Sequence, residues 1–318
     1  MIKNYLLKFS SILAEGSKCP PVKVSKVCTE PNTCTFYDYC WKDMPETTVL
    51  DLSRINKNKA FNLIDNGIIE PQQLTKSIEL SENQWIEVEA YKTGKPRLKK
   101  DKLQEFLETL KMHNTTYWMD FESYMKGIPE YVGTRPYQQI CFQFCVICRE
   151  ADGEIDRREF IASRGGDPRK SFLINLLKQT EGDENIIVYN EKFEIARLNE
   201  LAKDYPEFEG EIEQRVSRIV DLLYPFAKRY YYHPMMKGSA SLKSVLPCFV
   251  SPEELSYGKL DIKDGTMAMN AYSNFNSLPL EEQILTRRAL FEYCHVDVLG
   301  MVKIAEGLLK LINPLNNK

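Results

Sequence analysis

One stretch constrains the fold more than any other: Thr116 to Glu122, reading TYWMDFE. Strand-forming aromatic and apolar residues run directly into two carboxylates, Asp120 and Glu122. In an extended strand, side chains at i and i+2 point to one face. Both acids therefore project together from the end of a strand that otherwise reads as buried. Two neighbouring negative charges in such a place are costly without a counter-charge, and a divalent cation is the common solution. Taken alone, the pair also fits an edge strand with solvated acids at its tip. It needs partners elsewhere in the chain.

The 318 residues suffice for one large domain with an appendage or for two domains. A hydrophobic fraction of 43% and a charged fraction of 27% are those of an ordinary globular protein. No run approaches the roughly 18 apolar residues of a membrane helix. The opening MIKNYLLKFS is interrupted by Lys8, which argues against a signal peptide. A cytoplasmic location with no membrane partner is the default expectation. The net charge of −3 announces no nucleic-acid binder, although a local basic patch or bound cations are enough to hold a polyanion.

Three regions are expected: a cysteine-rich segment at 1–45, a helical or linker region at 46–114, and an α/β domain at 115–318. Helical patterning shows at Val49–Ile64 and Lys102–Leu110. Lys92–Lys102 carries six Lys or Arg in eleven positions and reads as a solvated linker or, alternatively, a phosphate-contacting arm. From Thr115 the pattern changes. Strands are expected at 116–122, 139–148, 155–161 and 185–190. Helices are expected at 168–180, entered through Asp167 and Pro168, at 193–204, from Leu242, and over 280–311. Tyr137, Phe142 and Phe144 read as core and strand residues. The order predicts a mixed sheet flanked by helices.

Two later segments supply further acids. In VYNEKFEIARL (188–198) a strand runs into a helix whose first turn carries Glu194. Ligands of α/β folds gather at such strand ends, although the helix dipole favours Glu there in any case. In EYCHVDVLGMVKI (292–304) Tyr293 and Asp297 lie one helical turn apart and share a face. Asp221, in the short apolar run Arg218–Leu223, is another acid able to approach. GSASLK offers Ser241 and Lys243 at a helix start, either a phosphate-binding arrangement or an ordinary N-cap. Asn190 is placed to meet substrate or backbone.

DFE, then YNxxFE, then YCxxD, in this order, resembles the DEDD superfamily of 3′–5′ exonucleases, which have the ribonuclease-H-like fold. The chain is similar in more detail to an uncharacterised bacterial family of DEDD-like domains. The shared stretches are IPEYVGTRPYQQ (128–139), DLLYPF (221–226), GSASLKSVLP (238–247) and DGTMA (264–268). The resemblance spans roughly 115–311. It implies that Asp120, Glu122, Glu194 and Asp297 hold two Mg²⁺ or Mn²⁺ ions. It implies also that Tyr293 orients the attacking water, as in the tyrosine-bearing subclass; the histidine-bearing subclass would need His where Glu292 stands. The superfamily's second motif normally ends in Asp, so Glu194 departs from it by one methylene, and carboxylates of either length bind Mg²⁺. The implied activity is metal-dependent hydrolysis of DNA or RNA, with DNA favoured, in repair or defence. A catalytically silent module of the same fold, binding nucleic acid or a protein, is the alternative.

Four of the nine cysteines, Cys19, Cys28, Cys34 and Cys40, lie in the first 40 residues. Their spacing is not that of a zinc finger. VCTEPNTCTFYDYCW resembles the cysteine segment that follows RecB/AddB-type nuclease domains. That implies an iron–sulfur cluster of the [4Fe–4S] type, with zinc or free thiols as alternatives, and a nuclease or helicase as possible partner.

Overall fold

The computed structural model describes residues 2–313 except 19, 21, 164 and 256. The chain forms two compact units, 1–80 and 81–318. Among the described residues, no helix is long and apolar enough to cross a membrane.

The first unit contains helices α1 (Ile2–Ile12), α2 (Tyr37–Trp41) and α3 (Lys57–Asp65). The single helix expected over 49–64 is broken. Thr48 and Asp51 close a short 3₁₀ turn, with Leu50 N–H donating to Thr48 Oγ1 at 3.2 Å and Thr48 N–H to Asp51 Oδ2 at 2.7 Å. Asn56 then caps α3 by accepting from Lys59 N–H at 3.2 Å. Two local caps here outcompete one continuous apolar period. Val49, Leu52, Ala60 and Leu74 are buried beneath.

The second unit runs α4 (Glu82–Thr93), β1 (Arg97–Leu98), α5 (Lys100–Leu110), β2 (Thr116–Tyr124), β3 (Ile140–Arg149), β4 (Ile155–Ile161) and α6 (Pro168–Gln179). It continues with β5 (Ile186–Val188), α7 (Glu191–Asp204), α8 (Glu209–Val216), β6 (Ile219–Asp221), α9 (Tyr224–Ala227), β7 (Tyr231–Tyr232), α10 (Leu242–Val245), α11 (Gly265–Asn274) and α12 (Leu280–Ile312). Five strands form one mixed sheet in the order β4-β3-β2-β5-β6. β2, β3 and β4 pair antiparallel, whereas β5 and β6 join β2 in parallel. The sheet is therefore the mixed α/β sheet that the alternation of strands and helices predicts. The basic run is no linker: it contains β1, which pairs with β7, and the start of α5.

β2 lies at the centre, and its alternation assigns its two faces. Tyr117, Met119 and Phe121 pack with Phe172 and Leu176 of α6 and Leu198 of α7. Trp118, on the other face, packs with Leu107 of α5 and Val298 and Met301 of α12. Asp120 and Glu122 follow Trp118 in register, so they point to the α12 side. Tyr124 continues that face into a third cluster with Tyr272 of α11 and Tyr293 of α12. The β2–β3 pairing shifts register between Glu122 and Ser123, an irregularity that re-aims the strand just past the acids.

Helix α4 is tied to the segment after α9 by a buried ion pair. Arg229 Nε donates to Glu87 Oε1 at 2.6 Å, and both residues are almost fully buried. Arg229 also donates to the carbonyls of Phe226 (2.6 Å) and Gly238 (2.7 Å). Glu87→Gln leaves a buried guanidinium without its counter-charge. The expected cost is about 3 kcal/mol of unfolding free energy in denaturant melts, largely recovered in the double variant Glu87→Leu/Arg229→Met.

A buried carboxylate cluster as candidate metal centre

Three elements bring acids to one place. Asp120 and Glu122 come from the C-terminal half of β2, and Glu122 is buried. Glu194 comes from the first turn of α7, directly after β5, and is 1% exposed. Its placement depends on Asn190, which adopts a left-handed conformation (φ 74°) that Asn tolerates better than most residues. The Asn190 N–H donates to Asp221 Oδ1 at 2.8 Å, and Leu223 N–H donates to the same oxygen at 2.9 Å. Asp221 thus fixes the turn that starts α7. Asp297 projects from α12 with Tyr293 one turn before it, both largely buried.

Among the described residues, ligand atoms of Asp120, Glu122 and Cys294 lie within 4.8 Å of one another. Asp297 and Glu194 face this group at charge–charge range. Burial, and then the charge of Asp297, hold the Asp120 carboxyl well above the usual carboxylate range. Glu122 is raised by burial and by Asp120 and Asp297, with Lys243 opposing. Glu194 is pushed up to about 9 by burial and by Asp120. Asp297 is raised to about 6 by burial, against hydrogen bonds from Tyr257 and Tyr293 and the charge of Lys243. Burial and the nearby acids push the Tyr293 hydroxyl up as well, so it stays protonated.

Two further residues shape the centre. The Tyr257 hydroxyl donates to Asp297 Oδ1. Lys243 places its ammonium over the rings of Tyr257 (4.9 Å) and Tyr293 (5.3 Å) and donates to the carbonyl of Lys263 at 2.6 Å. Gly265, first residue of α11, lies so near Glu122 that an added Cβ would stand 4.0 Å from Oε2. Tyr257 and Cys294 were not among the expected site residues. Cys294 sits inside YCxxD, but spacing alone does not reveal that its sulfur meets Asp120.

The donor set suits divalent cations. Four carboxylates in a largely buried space are what hard cations take. Glu194 Oε2 is buried without a hydrogen-bond partner, which is costly unless something else satisfies it.

Other expected residues are placed as follows. Ser241 occupies the N-cap of α10, yet its hydroxyl meets Ser244 Oγ (2.9 Å) and Ser239 Oγ (3.1 Å) rather than helix N–H groups. Asn190 makes no side-chain cap. His295 faces elsewhere and is held neutral, its pKa lowered to about 4 by burial and by Arg157. Phe142 and Phe144 are fully buried, but Tyr137 departs from the expected core placement: it is 70% exposed with φ 59°, its ring laid over Gly127. In the first unit Cys28 is buried, Cys40 half-buried and Cys34 exposed. Cys28 Sγ accepts from Ser25 N–H (3.4 Å) and Cys34 Sγ from Phe36 N–H (3.5 Å). Among the described residues, these three do not form a group of three ligand atoms within 4.8 Å. Cys19 lies outside the described residues.

The chain is thus a mixed α/β protein with a buried, multi-carboxylate centre at one end of its central strand. Residues 117–241 match a protein family described as a domain of unknown function, DUF2779. The chain is also 28% identical over 235 residues to "Uncharacterized protein UU173" of Ureaplasma parvum serovar 3. That alignment covers 65% of this chain and 33% of the relative, so the chain spans about a third of the length of the curated relative it matches. No solved structure matches.

The raised Glu194 pKa gives a signed expectation. Below about pH 4.3, the unfolded value, Glu194 is protonated whether folded or not, and its contribution to stability is fully present. That contribution is lost as pH rises through the folded value of about 9. In chelator, Glu194→Gln is expected to stabilise the protein by about 2 kcal/mol at pH 8. The gain shrinks towards zero near pH 5, as read from thermal melts at both values. Added Mg²⁺ or Mn²⁺ should raise the wild-type melting temperature and leave the variant's little changed.

Proposed function

We propose that the chain is a metal-dependent 3′–5′ exonuclease of the ribonuclease-H-like fold, hydrolysing phosphodiester bonds of DNA or RNA. The carrying observation is the convergence of Asp120, Glu122, Glu194 and Asp297, from three elements, on one poorly compensated site. The sheet order supports the same fold, with three antiparallel strands followed by two parallel ones. So does the order of the DFE, YNxxFE and YCxxD segments along the chain.

Two divalent cations held by these carboxylates would supply activation of the attacking water and stabilisation of the leaving oxygen. The chain's own residues do the rest. Asp120 and Glu122, fixed by the central strand, would hold the cations that the reacting phosphate meets. Glu194 from α7 and Asp297 from α12 complete the ligand set. Tyr293 keeps its proton, which now hydrogen-bonds Asp297. Once Asp297 turns to a cation, that hydroxyl is free to donate the hydrogen bond that orients the water rather than deprotonating it. Lys243, whose charge already reaches Glu122 and Asp297, meets the substrate's phosphate oxygens.

End-labelled single-stranded DNA and RNA, incubated with Mg²⁺ or Mn²⁺, test this. Wild type is expected to shorten 5′-labelled strands stepwise and to stop in chelator. Asp120→Asn should reduce the rate at least about a hundredfold. Tyr293→Phe should lower kcat by about a hundredfold while leaving the metal-induced thermal shift intact. No metal-dependent shortening by wild type, or equal shortening by Asp120→Asn, overturns the proposal.

A further inference from the structure

Cys294 stands in the carboxylate cluster without a part in the hydrolysis proposed above. It is fully buried on α12. Its Sγ lies 3.7 Å from the Asp120 carbonyl oxygen and 3.8 Å from Asp120 Oδ2. Together with carboxylate oxygens of Asp120 and Glu122 it completes a set of three donor atoms within 4.8 Å of one another. Around tetrahedral zinc, with Zn–S about 2.3 Å and Zn–O about 2.0–2.2 Å, sulfur and oxygen ligands stand about 3.5 Å apart. The 3.8 Å contact is within a few tenths of an ångström of that edge. Glu122, with the longest side chain of the three, has the reach to draw in from within the 4.8 Å spread.

A second, independent observation points to a ligand. Glu194 is 1% exposed, its Oε2 has no hydrogen-bond partner, and it feels the charge of Asp120. It stands at charge–charge range of Asp120, beside the three donor atoms that lie within 4.8 Å of one another. All-oxygen sets suit Mg²⁺, whereas one thiolate turns a site towards zinc and the softer cations.

We propose that Asp120, Glu122 and Cys294, with Glu194 as fourth donor, form a mixed oxygen–sulfur site that takes a thiophilic divalent cation, Zn²⁺ or Cd²⁺, in preference to Mg²⁺. Binding transfers the thiol proton to solvent and forms a sulfur–metal bond with no change of oxidation state. A cation seated there uses the carboxylates that hydrolysis requires, so Zn²⁺ acts as an inhibitor of the centre. The inference rests on the reading of these acids as a cation site. It does not require that the substrate be nucleic acid.

The test is a Cd²⁺ titration of the full chain, free of Mg²⁺ and kept reduced with a phosphine. It follows the ultraviolet charge-transfer absorption of the cadmium–thiolate bond. Subtracting the Cys294→Ser titration removes the signal of the remaining cysteines. The expected difference is one thiolate band saturating at one equivalent, with Cd²⁺ affinity at least about tenfold weaker in Cys294→Ser. Asp120→Asn, which keeps the thiol, should lose the same band. Thermal melts of the metal-free variants establish that each is folded. Identical titrations of wild type and Cys294→Ser overturn the proposal and leave Cys294 a small core residue. An undiminished band in Asp120→Asn also overturns it, because the thiol would then bind away from the acids. A chain that shows the band but degrades no nucleic acid retains this site and loses the nuclease function. A chain that degrades nucleic acid without showing the band keeps the nuclease function and loses this site.

Discussion

Mutual repulsion among buried carboxylates is the constraint on which this structure turns. β2 is covered on both faces, so Glu122 is buried and Asp120 is left only partly open to water. Every element that meets them bears the mark of that problem. The turn before α7 is held left-handed at Asn190 by Asp221, which sets Glu194 against the cluster instead of in solvent. α12 contributes Asp297 but surrounds it with the hydroxyls of Tyr257 and Tyr293. α11 begins with a glycine where the Glu122 carboxylate comes close. The hydroxyls on Asp297 lower the cost of concentrated charge, whereas the placing of Glu194 adds to it.

Lys243 offers the nearest thing to an internal counter-ion. Its ammonium rests on two tyrosine rings and a backbone carbonyl, and its charge lowers the pKa values of both Glu122 and Asp297. Buried acids with raised pKa values and one cation lodged between aromatic faces are a pattern typical of functional centres rather than of purely structural ones. A core built for stability alone would have replaced such acids with apolar residues of similar volume.

Much of the sheet was legible because its signals are local. TYWMDFE and QICFQFCVIC alternate as strands do, and the Asp167–Pro168 pair marks where α6 begins. The acids could be placed because each sits where a strand ends or a helix turns, positions that periodicity assigns. What escaped the sequence depends on distant partners. β1 is two residues long and exists only through pairing with β7, more than 130 positions later. Tyr257 meets Asp297 across 40 residues and Cys294 meets Asp120 across 174. Tyr137 follows the composition of a core strand, yet a positive φ just before β3 turns it outward. The break inside 49–64 was missed for the opposite reason: two local caps overrode a convincing apolar period.

The Glu87–Arg229 pair has a bearing on where the molecule can be cut. Patterning along the chain invites a boundary near Asn114, just before β2. A fragment starting there would lack α4, β1 and α5, strip Arg229 of its carboxylate partner and leave β7 without its neighbouring strand. It would also bare the α12 surface that Leu103, Phe106 and Leu107 share. The smallest piece able to keep the acid cluster in register therefore begins near Ser81, where α4 is capped. The segment that reads as a connector is a buttress.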